Sequence, residues 1–102
     1  MKTRNAKSLN KIKDVLATHR EEINAKYNVA EIGVFGSYVR GEQGRSSDID
    51  ILVKFSAPIG LFKFMELEEY LRRLLGIRVD LVSKEALKPY IGQRILEEVS
   101  YV

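Results

Sequence analysis

The sequence contains no cysteine and no tryptophan. Without thiols, disulfides, zinc-thiolate sites, iron-sulfur clusters and cysteine nucleophiles are excluded together, and a reducing compartment is permitted. Apolar runs are short: none approaches the roughly 20 residues needed to span a bilayer. The stretch from Met1 to Lys13 is basic and polar, with no apolar centre of the signal-peptide kind, so the expected location is the cytoplasm and no membrane contact is expected. Charge of one sign is also scarce in excess. With 17 Lys plus Arg against 14 Asp plus Glu, the net charge is +3. That balance allows contact with phosphates but is too mild to mark a nucleic-acid binder.

What is present suits one small domain. A chain of 102 residues, 45% hydrophobic and 30% charged, can close a modest core with nothing left for a second one. The expected organisation is a single domain over residues 1–102, and any enzyme built on it must be stripped down.

Leu9, Ile12, Leu16 and Ile23 recur at roughly helical spacing within residues 8–26, which predicts one N-terminal helix capped by Ser8 and ended near Asn28. The apolar run Ile32 to Phe35 predicts a first strand that stops at Gly36. Residues 36–47, GSYVRGEQGRSS, hold three glycines and three serines, and read as a short helical turn followed by a loop. Asp48 to Phe55 predicts a strand buried along most of its length, and Gly60 to Leu75 a strongly amphipathic helix ended by Gly76. Ile77 to Val82 predicts a third strand, and Ile91 to Val99 a closing helix after Pro89. This order predicts an α/β (α+β) fold: a small mixed sheet of three main strands with helices packed on it.

The chemistry concentrates around two carboxylates. Asp48 and Asp50 are two apart in a predicted strand, so both leave one face while Ile49 and Ile51 go to the other. Anions held side by side repel, and relief comes from a raised pKa or a divalent cation. Hard oxygen ligands with no His or Cys nearby favour Mg²⁺ or Mn²⁺. The competing reading is a solvated D-x-D at a strand's start. Gly36-Ser37 precedes the pair, where a glycine lets backbone N–H groups approach an anion and a hydroxyl adds a donor; alone it reads as an ordinary turn. The specific feature is the combination of Gly36-Ser37, ten intervening residues, and Asp48-Ile49-Asp50 between apolar positions.

That combination resembles the G-S-x10-D-x-D signature of the polymerase-β-like nucleotidyltransferase superfamily. The fuller string GSYVRGEQGRSSDIDILVKF, residues 36–55, looks like the minimal nucleotidyltransferase (MNT) group, whose members have about this length. They are usually encoded beside a HEPN-domain protein, as antitoxin and toxin. The resemblance covers Ile32 to Val82 closely and the terminal helices in outline. It implies the polymerase-β-like fold and a third carboxylate on a later strand, a place matched by Asp80 in IRVDLVS, residues 77–83. Asp80 is out of phase with Val79 and Leu81, so it can point away from the core; pairing with Arg78 or Lys84 is the competing reading.

The resemblance implies a metal-binding and catalytic triad of Asp48, Asp50 and Asp80, with two Mg²⁺ ions bridged by the first two. Gly36 and Ser37 would grip the β- and γ-phosphates of ATP. Arg40, three residues after Ser37 on a helical turn, can fork to phosphate oxygens, or else form a surface salt bridge to Glu42. Arg45, Ser46 and Ser47 precede Asp48 in the loop and are further, weaker candidates for the nucleotide. The implied reaction moves AMP from ATP to a hydroxyl, a tyrosine of a cognate HEPN toxin, with no direct nucleic-acid substrate. The rival is a binding-only antitoxin that covers its partner without catalysis.

Other features read as structural. His19 lies away from the motif as a solvated or packing residue. Lys2, Arg4, Lys7, Lys11 and Lys13 form a solvated helix face or a patch for an acidic partner or nucleic acid. Phe62, Phe64 and Tyr70 belong to the core or to a partner-facing surface rather than to a base-stacking platform.

Overall fold

The structure is a computed structural model that describes residues 8–102. Of the basic N-terminal residues, Lys2, Arg4 and Lys7 lie outside the described residues. Ser8 caps the first helix, α1 (Leu9–Thr18), by accepting from the Lys11 backbone N–H at 3.2 Å. The expected single N-terminal helix is in fact two, because the chain breaks at His19 before α2 (Arg20–Tyr27). Thr18 Oγ1 donates to the Asp14 carbonyl and His19 Nδ1 to the Val15 carbonyl, both at 2.9 Å. These side chains compete for the carbonyls that a continuing helix would use.

Asn28, in the left-handed region at φ 56°, turns the chain into β1 (Val29–Phe35). This strand starts three residues before the expected Ile32, since Val29 already pairs with Phe55 across a bulge that Glu31 and Ala30 disguise in the sequence. The short helix α3 (Ser37–Arg40) and a loop lead to β2 (Ile49–Phe55). Helix α4 (Gly60–Leu75) ends at Gly76 as its periodicity indicates, and crosses to β3 (Val79–Ser83). Helix α5 (Pro89–Glu98) starts at the proline rather than after it, since proline suits the first helical position.

A two-residue strand that the sequence does not reveal, β4 (Ser100–Tyr101), makes the sheet four-stranded rather than three-stranded, in the order β3-β2-β1-β4. β1 runs antiparallel to β2 and β4, and β2 parallel to β3, so the sheet is mixed as expected. Gly33 makes β4 possible: a side chain there would press 2.7 Å from Val99 Cγ2.

One face of the sheet carries Ile32 and Val34 of β1, Ile49, Ile51 and Val53 of β2, and Leu81 of β3. Ile12 and Leu16 of α1, Ile23 and Tyr27 of α2, and Leu67, Leu71 and Leu75 of α4 close over them as the core. Phe64 and Tyr70 pack half-buried against this core, whereas Phe62 is exposed on α4 together with Leu61 and Met65. No helix among the described residues is long and apolar enough to cross a membrane.

Candidate active site

The register of β2 positions the first carboxylate. Ile49, Ile51 and Val53 point into the core, so Asp50 and Leu52 emerge on the opposite face. Across the sheet Asp50 lies opposite Phe35 of β1 and opposite Asp80 of β3. Residues in register share a face, and Asp50 and Asp80 therefore stand side by side on the face opposite the core, where Leu52 and Phe35 are themselves buried and Asp80 is exposed. Asp48 lies one residue before β2 rather than within it, although the Ile49 N–H already donates to the Arg78 carbonyl at 2.9 Å.

Like charges and partial burial act on the same group. Asp50 is pushed up to about 6, first by burial and then by the Asp80 and Asp48 carboxylates, with Arg40 opposing them. Asp48 instead meets a cation, with Arg78 Nε at 3.0 Å, while an Arg78 Nη2 bond to the Ser46 carbonyl anchors that guanidinium. Arg78 thus belongs to Asp48 and not to Asp80, and Lys84 pairs with Glu31. Neither partner that would make Asp80 an ordinary surface charge is engaged with it.

Gly36 explains its own identity. It adopts φ 82° and ψ −150°, a conformation closed to most side chains, and a Cβ on it would overlap the Asp50 carboxylate. A side chain at that position would strain the turn and force the Asp50 carboxylate to move. Ser37 opens α3 half-buried beside it. Tyr38 is buried, with a hydroxyl that has no hydrogen-bond partner, and burial followed by the Asp48 charge raises its pKa.

Arg40, the last residue of α3, forms two ion pairs: Nε to Glu42 Oε1 at 2.9 Å and Nη1 to Glu98 Oε1 at 2.7 Å. The first is the competitor that the sequence suggests. The second was not foreseeable, since Glu98 is 58 residues away and nothing in ILEEV distinguishes it from a solvated helix end. Beside these groups opens a cleft of about 550 Å³ lined by Phe35, Gly36, Arg40, Ile91, Ile95 and Glu98, among others. In the loop, Ser47 Oγ accepts from the Gly44 N–H at 2.8 Å and shapes the turn.

The donor set suits a hard divalent cation. The Asp80 and Asp48 carboxylates both act on the more buried Asp50, whose proton is held abnormally high, and such a cation would relieve that strain. No group of three or more metal-ligating side chains among the described residues is gathered closely enough to hold an ion as it stands. The salt bridge that turns Asp48 toward Arg78 is consistent with that spacing.

Comparison with known proteins is consistent with this geometry. Residues 16–102 match the family described as nucleotidyltransferase domain. The chain is 54% identical to the protein adenylyltransferase MntA of Thermococcus cleftensis over 95 residues, which is 93% of this chain and 96% of the relative. Among solved structures, a crystal structure of a toxin-antitoxin with AMP-PNP superposes with TM-score 0.69 at 32% identity, over 90% of this chain and 69% of that one. A structure of a tri-AMPylated HEPN toxin of Shewanella oneidensis in complex with an MNT antitoxin gives TM-score 0.60 at 27% identity, over 90% and 66% of the two chains.

Proposed function

The chain belongs to the nucleotidyltransferase domain family, and on that premise we propose that it transfers AMP from ATP to a tyrosine hydroxyl of a cognate HEPN toxin, which the modification silences. The observation that carries this reading is the Asp50–Asp80 pair on the sheet face opposite the core, set against Gly36, whose positive φ and closeness to the Asp50 carboxylate favour glycine. Similarity to MntA, and to a chain of the complex between a tri-AMPylated HEPN toxin and its MNT antitoxin, supports AMP transfer and a HEPN partner. The AMP-PNP complex supports a nucleoside triphosphate donor.

The residues divide the work. Gly36, through its backbone N–H, Ser37, through its hydroxyl, and Arg40 hold the β- and γ-phosphates so that pyrophosphate departs in line. The acceptor oxygen forms a bond to the α-phosphorus while the bond from that phosphorus to the bridging oxygen breaks. The acceptor's proton passes to Asp80, which faces the same surface as Asp50. Two Mg²⁺ ions are the proposed cofactors, held by Asp48 and Asp50 with Asp80 completing the set, and they would supply charge neutralisation at the attacking and leaving oxygens. The proposed setting is the cytoplasm.

The test is Asp48→Asn combined with Asp50→Asn, which removes two charges and keeps side-chain volume. Label transfer from α-labelled ATP to the partner should vanish while the far-ultraviolet spectrum and partner binding persist. Full neutralisation of the toxin by the double variant at substoichiometric dose would instead establish the binding-only mode.

A further inference from the structure

Glu98 occupies the groups that the proposed function assigns to phosphate. The Gly36 N–H donates to Glu98 Oε2 at 2.6 Å, and Arg40 Nη1 donates to Glu98 Oε1 at 2.7 Å. Each carboxylate oxygen takes one donor, as two oxygens of one phosphate group would. Arg40 foremost, together with the Gly36 N–H, holds the Glu98 carboxyl below its ordinary range, so the side chain stays an anion at neutral pH. Glu98 comes from the last turn of α5, immediately before β4, whose Ser100 and Tyr101 pair with Val34 and Gly33 of β1. An anion from the C-terminal end of the chain is thereby delivered to the turn that follows β1.

We propose that Glu98 is an internal competitor for the nucleotide's phosphates, and that the site fills only as this carboxylate leaves Gly36 and Arg40. The proposal rests on the reading of those two residues as phosphate ligands. Its physical basis is that the single Gly36 N–H, already given to Glu98, cannot serve a second anion, and that Arg40 already gives Nε to Glu42 and Nη1 to Glu98. The hold is weak enough for exchange: the Arg40 side chain is half exposed, so water and salt screen the pair. A polyphosphate of higher charge displaces a single carboxylate, and the displaced Glu98 carries the end of α5 with it. Nucleotide occupancy is thus linked to the cleft wall formed by Ile91 and Ile95.

The experiment uses the full chain and the variants Glu98→Gln and Glu98→Asp. The first removes the charge at constant shape, and the second keeps the charge but shortens the reach. Calorimetric titration in Mg²⁺ buffer uses two probes: α,β-methylene ATP, which resists cleavage at the α-phosphorus, and inorganic pyrophosphate, which carries phosphates alone. Both variants should bind both probes about three- to ten-fold more tightly than the unsubstituted chain, the factor by which a partly filled site weakens its ligand. Unchanged or weaker binding by the variants, with the unsubstituted chain still binding, overturns the competitor and makes Glu98 a support for Arg40, leaving the phosphate reading intact. A gain confined to the nucleotide also overturns it, since the effect then lies with the nucleoside. If neither probe binds any of the proteins, the phosphate reading itself fails and the proposal falls with it.

Discussion

Strand β2 has two unlike faces. Ile49, Ile51 and Val53 are sealed under α1, α2 and α4, whereas Asp50, between them on the other side, stands beside Asp80 with its proton held up to about 6. On the first face every neighbour lowers the energy of the fold. On the second, burial and like charge raise the energy of an ionised carboxylate, a strain that persists because the first face holds the strand in place. Stability and chemistry are therefore separable one residue at a time along a single strand.

The contrast is tested most severely by Asp50→Asn alone. Transfer from α-labelled ATP should fall on the order of 10³-fold or more, equivalent to about 4 kcal/mol of barrier, while the folded state persists. Unfolding of this variant, as judged by circular dichroism, would erase the distinction between the faces. The reverse substitution in kind is Leu71→Ala on α4, fully buried in the core. It should lower unfolding stability by about 2–5 kcal/mol in urea denaturation, through lost transfer energy and a residual cavity.

Gly36→Ala tests the boundary between the faces. The left-handed backbone and the overlap with the Asp50 carboxylate should cost about 1–3 kcal/mol by the same measurement and weaken triphosphate binding.

A smaller effect, with a definite sign, comes from pH. The folded protein binds the Asp50 proton more tightly than the unfolded chain does, so this group's contribution to stability is greatest below about pH 4 and is lost as pH rises toward 6. Asp50→Asn should then be more stable than the parent by about 1–2 kcal/mol at pH 7, after allowance for partial exposure, with no advantage below pH 4. Denaturation curves between pH 4 and 8 give the comparison. At the lower limit, Arg73→Ala on the exposed side of α4 removes only the pair with Glu69 and should leave both the denaturation midpoint and transfer unchanged within error.

Much of this division is legible in the residues themselves. Helix α4 and its stop at Gly76 follow from a clean 3.6-residue pattern, and the separation of Asp50 from Ile49 and Ile51 follows from the strand period of two. The break at His19 was hidden because Leu16 and Ile23 keep a helical phase across it, while the interruption comes from side-chain hydrogen bonds to carbonyls. The early start of β1 was hidden by a bulge, and β4 by its length of two residues.

The same boundary runs through the candidate site. Gly36, Ser37, Asp48 and Asp50 form a local string whose spacing is readable without coordinates. Phase alone indicates that Asp80 can leave the core, but its place beside Asp50 depends on a parallel register set by how α4 packs. Arg40 shows both kinds of contact: its bond to Glu42 is local, and its bond to Glu98 spans most of the chain. By itself the sequence determined which residues alternate along β2 and where helices stop, because short-range sterics and periodicity control those features. The tertiary structure alone decided that Asp48 falls just before β2, that Asp80 stands beside Asp50 and that Glu98 closes on Gly36 and Arg40, because contacts between distant segments arise only when the whole core has chosen its packing.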